Sequence, residues 1–137
     1  MPSRLFFVLL VSAPIGAAVA RDATAILATG HPFALPGGQS LELIEVADSR
    51  CAPSARCTSA GYVRLLLHWR SSPAAEPMRL TLATTSADGQ TRQACLNGTL
   101  VRIRSITPLP KAGVSISMDD YRITVAIGTC PNEGATS

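Results

Sequence analysis

The chain is poor in the residues that mark an enzyme. It has only two histidines, His31 and His68, and no Gly-x-Ser-x-Gly stretch, so no motif announces a serine nucleophile and any Ser–His–Asp group would have to be built on His68. No two cysteines stand two to four residues apart, which removes the paired-ligand spacing of structural zinc. Helical spacing with caps, internal repeats and low-complexity segments are also missing. Charge is scarce in net terms: the formal balance is +3. Setting Arg4 aside leaves eleven cations against nine carboxylates, or +2, too little to point to nucleic acid. No cofactor is expected.

What is present begins with a leader. Arg4 and the free amine precede the apolar run Leu5-Phe6-Phe7-Val8-Leu9-Leu10-Val11, broken by Pro14 and Gly16 and followed by Ala18-Val19-Ala20. The run is too short to cross about 30 Å of hydrocarbon as a permanent helix. Its flanks are those of a cleavable signal peptide over residues 1–20. No cysteine stands at the cleavage point, so no lipid anchor is expected, and no later run is long enough for a membrane span. The expectation is a periplasmic or secreted protein with one domain over 21–130 and a flexible tail over 131–137.

All four cysteines, Cys51, Cys57, Cys95 and Cys130, fall after the leader. An even count in a short exported chain reads as disulfides. Three pairings are possible. A short proline-containing loop separates Cys51 from Cys57, and Cys95 and Cys130 each follow strand-like runs, which favours Cys51–Cys57 with Cys95–Cys130. Such bridges contribute about 2.4 and about 3.8 kcal/mol on the chain-entropy model, before strain.

The main local signal is alternation with period two. Val63, Leu65, Leu67 and Trp69 share one parity, while Tyr62, Arg64, His68 and Arg70 share the other with only Leu66 intruding. The same logic buries Tyr121, Ile123, Val125 and Ile127, sets Met78, Leu80 and Leu82 against Arg79 and Thr81, and places Val101 and Ile103 opposite Arg102 and Arg104. Between Leu41 and Val46 the phase slips by one residue, predicting a β-bulge near Leu43–Ile44. Asp88-Gly89 and Asn97-Gly98 read as hairpin turns, and prolines fall between the runs. These features predict a small antiparallel β-sandwich of immunoglobulin-like, disulfide-stapled architecture, with Trp69 in the core.

The stretch Glu45-Val46-Ala47-Asp48-Ser49-Arg50-Cys51, then Cys57, then Ala60-Gly61-Tyr62-Val63-Arg64-Leu65, resembles a family of small exported bacterial proteins of unknown function. Their signature is Val-x-Asp-Ser-Arg-Cys, a cysteine-closed loop and Ala-Gly before a strand. Ile106-Thr107-Pro108-Leu109-Pro110 and the strand led by Tyr121 are similar to that family's later half. This chain departs from it in having Ala52 before Pro53 and Thr58-Ser59 where an aromatic is usual. Cys95 and Cys130 look like additions. The resemblance implies an exported sandwich-like domain and no mechanism.

Candidate chemistry is weighed against structural roles. Asp48 and Arg50, flanking Ser49, either present a rigid binding loop or hold it, with Asp48 accepting backbone N–H groups and pairing with Arg50. Arg64, Arg70, Arg102, Arg104 and Arg122 lie on outward parities and would form one basic face if their strands were neighbours. His68 reads as a solvated strand residue or, in a minor envelope hydrolase, a base. Asp119-Asp120 reads as an acidic turn rather than a cation site. Asn97-Gly98-Thr99 matches a glycosylation pattern by chance. The expected function is a non-enzymatic binding module of the bacterial envelope, touching an envelope glycan or another exported protein. The alternative is a secreted inhibitor of a partner such as a protease.

Overall fold

A computed structural model describes residues 23–85 and 92–131. The expected leader over 1–20, the Asp88-Gly89 turn and the tail after Pro131 lie outside them. Eight strands follow in order: β1 (Ala23–Leu27), β2 (Phe33–Ala34), β3 (Ser40–Asp48), β4 (Val63–Arg70), β5 (Met78–Ala83), β6 (Gln93–Leu96), β7 (Thr99–Thr107) and β8 (Arg122–Thr129). They form two four-stranded antiparallel sheets, ordered β1-β8-β7-β6 and β2-β3-β4-β5. Each sheet is a run of sequential neighbours, save that the first strand closes onto the last. The layered architecture of immunoglobulin-like domains is thus reached with meander connections.

Alternation decides which side chains meet between the sheets. Val63, Leu65 and Leu67 of β4 are fully buried, as are Leu41 and Leu43 of β3, Val101 of β7 and Ile123 and Val125 of β8. Each such burial stabilises the fold by about 1.5–3 kcal/mol. Trp69 packs on this core, and its indole N–H donates to Gln39 Oε1 at 2.9 Å. The Gln39 amide in turn donates to Pro36 O and to Thr99 Oγ1. Gln39 and Thr99 are the two buried polar residues of the described chain. Their bond joins the chain entering β3 to the start of β7, so it ties one sheet to the other.

The bulge foreseen near Leu43–Ile44 is present: pairing passes from Leu43–Leu67 to Glu45–Leu66, leaving Ile44 extra. A second bulge was not foreseen. Between Ile103–Val125 and Ser105–Thr124 the extra residue is Arg104, and the shift turns Ile106 inward, where it is buried. Asn97-Gly98 closes the β6–β7 hairpin with φ of 47° and 82°, the doubly positive combination that suits such turns. The strands on either side of Asp88-Gly89, β5 and β6, belong to different sheets and do not pair with each other. Met78 also departs from the alternation reading. It opens edge strand β5 and is 60% exposed, since no strand lies beyond it to cover it.

Both disulfides are those favoured by spacing. Cys51–Cys57 closes the tip of the β3–β4 connection, and Cys95–Cys130 joins β6 to the residue after β8, across the start of β7. The base of the β3–β4 connection is zipped by Ser49 N–H to Tyr62 O and Cys51 N–H to Ala60 O, both 2.9 Å. Ser49 Oγ also donates to Tyr62 O and accepts from Tyr62 N–H.

Gly61 is what permits this closure. Its φ is +68°, and a Cβ there would lie 1.8 Å from the Ser49 carbonyl oxygen. Gly61→Ala is expected to cost about 3 kcal/mol or more, through strain and lost zipping together. Gly98→Ala has similar φ but open space around it, and should cost only about 1 kcal/mol. Urea denaturation of both variants checks the contrast; equal losses would show that close approach at Gly61 is immaterial.

Candidate functional site

At the end of β3 the chain places a carboxylate, a guanidinium and a phenol in mutual contact. Arg50 Nε donates to Asp48 Oδ1 at 2.9 Å and a terminal nitrogen donates to Oδ2 at 2.7 Å. The Arg50 backbone N–H adds a third bond to Oδ1 at 3.0 Å. Tyr121, just ahead of β8, donates its hydroxyl to Oδ2 at 3.0 Å. Arg50 also reaches the opposite sheet, donating to Ile106 O at 3.2 Å and Pro108 O at 2.9 Å. A planar fork of donors can satisfy a carboxylate and two carbonyls at once, which an ammonium cannot do in this geometry.

The electrostatics follow from these contacts. Burial works to raise the Asp48 carboxyl, but the bonds from Arg50 and Tyr121 outweigh it and hold the carboxyl below its usual range. Hydrogen bonding to Asp48 raises the Arg50 guanidinium despite burial. Burial, then the bond to the Asp48 carboxylate, pushes the Tyr121 phenol up to about 12. Each of these groups is therefore held in its ordinary protonation state at neutral pH. Asp48 and Arg50 hold the loop through these bonds, and they line a groove beside it.

That groove has a volume of about 800 Å³ and lies between two loops at one end of the sandwich. One wall is the disulfide-closed loop, represented by Ala52, Ala55 and Arg56; the other is the β7–β8 connection, with Lys111, Val114 and Ile116. Its floor includes Asp48, Arg50 and Tyr121. The first loop carries a turn in which Ala55 N–H donates to Ala52 O at 2.9 Å, and residues Pro53 to Ala60 are exposed. The second loop is anchored at its start by Arg50 and near its end by Thr29, whose hydroxyl donates to Met118 O at 2.7 Å. Ile116 and Met118 pack on the core, while Val114 is 60% exposed.

The five outward arginines are divided between the layers. Arg64 and Arg70 are on β4, in one sheet; Arg102 and Arg104 on β7 and Arg122 on β8 are in the other. They do not share a face. Arg70 donates to Ala75 O, and Arg122 donates to Asp119 O and Tyr121 O. Arg64 joins Glu45, Leu66, Arg79 and Thr81 around a depression of about 220 Å³ on the outer side of its sheet. His68 lies on that outer side, opposite Glu42 and Arg79 in the neighbouring strands. Asp119-Asp120 falls in a short 3-10 turn, Met118–Asp120.

Sequence reasoning missed Arg56, Lys111 and the β7–β8 connection. These lie in loops without periodicity, and only the two proline-flanked motifs hinted that both loops converge. Comparison with known proteins adds no family: no family model matches the chain, and neither a curated protein nor a solved structure does.

Arg50→Ala is expected to lower stability by about 2–3 kcal/mol, because it removes both guanidinium bonds to the largely buried Asp48 carboxylate and the donor to Ile106 O. Arg50→Lys should recover less than half of that loss in thermal denaturation. The Tyr121 phenol gives a second test. Its pKa is raised on folding, so its contribution is complete below pH 10 and is lost as pH rises towards 12. Stability followed from pH 8 to 12 should therefore fall above pH 10 in the native chain. Tyr121→Phe should be less stable at pH 8 and lack this share of the alkaline decline; parallel curves would exclude the coupling.

Proposed function

We propose that the chain is an exported binding module, without enzymatic activity, that engages its partner at the groove between the Cys51–Cys57 loop and the β7–β8 connection. The observation that carries this reading is the anchoring of both groove walls. One is closed by a disulfide and zipped at its base, and the other is fixed by Arg50 and Thr29. Pre-ordered loops lose little entropy on association, which favours recognition over loose contact. Residence in the periplasm or outside the cell is part of the proposal. It is supported by the leader pattern in the sequence, by the two disulfides and by the fact that, among the described residues, no helix is long and apolar enough to cross a membrane.

The groups with shifted titration support binding rather than catalysis, since Asp48, Arg50 and Tyr121 are occupied with one another. His68 stands away from the groove, on an outer sheet face. Inhibition of a secreted protease is the second reading, favoured by the exposure of Pro53 to Ala60 in a loop closed by a disulfide.

A photocrosslinking residue placed at Ser59 or Ser115, one on each groove wall, tests the site in the cells that make the protein. Both positions should give adducts with the same envelope component, and Thr81 and Thr24 on the two outer faces should give none. Adducts from the outer faces alone would reject the groove.

A further inference from the structure

The groove's lining is charged in one direction. Among the described residues Asp48 is its one carboxylate, and both of that carboxylate's oxygens are taken by Arg50 and Tyr121. Arg56 and Lys111, one on each wall, are exposed, and their side chains have neither an ion pair nor a hydrogen bond among the described residues. Asp120 lines an adjoining recess of about 190 Å³, which it shares with Leu109 and Lys111. Two free cations facing one opening favour an anionic occupant.

The second observation concerns backbone. After the turn in which Val114 N–H donates to Lys111 O, the segment Val114–Ser117 runs without helix, turn or strand pairing. Ser117 has φ −67° and ψ 145°, an extended conformation. The N–H groups of Ser115, Ile116 and Ser117 have no hydrogen-bond partner among the described residues, and neither have the carbonyls of Val114, Ser115 and Ile116. Unpaired backbone beside a groove offers donors and acceptors to a strand added from another chain.

The side chains separate the classes of occupant. Serine and threonine hydroxyls at Ser49, Thr58, Ser59 and Ser115 interrupt the apolar surface to which Val46, Ala52, Val114, Ile116 and Met118 contribute. An alkyl tail needs a continuous apolar wall, and a sugar commonly stacks on an open aromatic face. Among the described residues the only aromatic in the lining is Tyr121, which is buried and hydrogen-bonded. An extended peptide presents alternating side chains to such a mixed wall.

Resting on the proposed groove, we infer that its occupant is an acidic, partly apolar peptide segment of another protein, added as a strand along Val114–Ser117 with its carboxylates between Arg56 and Lys111. This assigns the chemistry of the partner and the mode of capture together.

The test is an NMR titration of the isotope-labelled mature protein. The probes are a short peptide alternating Glu with Val, its copy with Lys for Glu, a copy N-methylated at alternate residues, a heparin oligosaccharide and a medium-chain fatty acid. The Glu peptide should move the amides of Val114–Ser117 saturably and slow their hydrogen exchange. The Lys copy and the N-methylated copy should leave them unmoved, since the first reverses the charge and the second removes the strand's donors. The double variant Arg56→Ala with Lys111→Ala should bind the Glu peptide about tenfold more weakly, each rim cation giving a few-fold. Both residues are exposed and without partners, so its fold should persist.

Silence of the Glu peptide, equal binding of the N-methylated copy, or the oligosaccharide or fatty acid moving the same amides in its place would each overturn the inference. If groove crosslinks at Ser59 and Ser115 persist in that event, the site stands and only the peptide assignment fails. If the crosslinks are absent as well, the groove itself fails.

Discussion

The structure depends most on one guanidinium. Arg50 stands just past the end of β3, bonded to a carboxylate of its own sheet and to two carbonyls of the other. Without it, the Asp48 carboxylate would keep only the Tyr121 hydroxyl and one backbone N–H, and the Ile106 carbonyl would lose its guanidinium donor, a cost of about 2–3 kcal/mol against a small domain's modest net stability. The same contacts fix where the chain leaves β7, and hence where the second groove wall begins. Stability and site geometry are therefore set by one side chain.

A second polar tie sits at the other end of β3 and β7. There Gln39 accepts from Trp69 and donates to Thr99, joining the layers through neutral groups. Between the two ties the contact is hydrocarbon, from Leu41 and Leu65 to Val101 and Val125. Apolar packing is indifferent to small slides of one sheet over the other, whereas directional bonds are not. Pins at both ends fix the alignment that the core alone would leave loose.

Much of this was legible in the alternation. The buried parities of β4 and β8, the slip at Ile44, the Asn97-Gly98 turn and both disulfides follow from period, turn chemistry and cysteine spacing. The second bulge carried the same signature, since Val101, Ile103 and Ile106 slip phase as Leu43 and Val46 do. What period cannot convey is partnership between distant strands. The outward arginines were correctly placed on outward parities, yet nothing local says which sheet a strand joins. Met78 shows the same limit, because its exposure follows from edge position. Asp48 and Arg50 were legible as a pair, but their reach to Ile106, Pro108 and Tyr121 arises only when the layers close. Gly61 was visible as a motif residue; its reason, the nearness of Ser49 O, belongs to three dimensions.

The strand order has a temporal side. Ala23 lies opposite Ile127, so the first strand's only sheet neighbour is the last. The β2-to-β5 meander can assemble from neighbours in sequence, but β1 has no place to dock until β8 has arrived and paired with β7. Local pairings form fast and distant ones slowly, because the intervening chain's freedom must be surrendered first. A chain still being made therefore carries Ala23–Leu27 without its sheet partner until Arg122–Thr129 has followed.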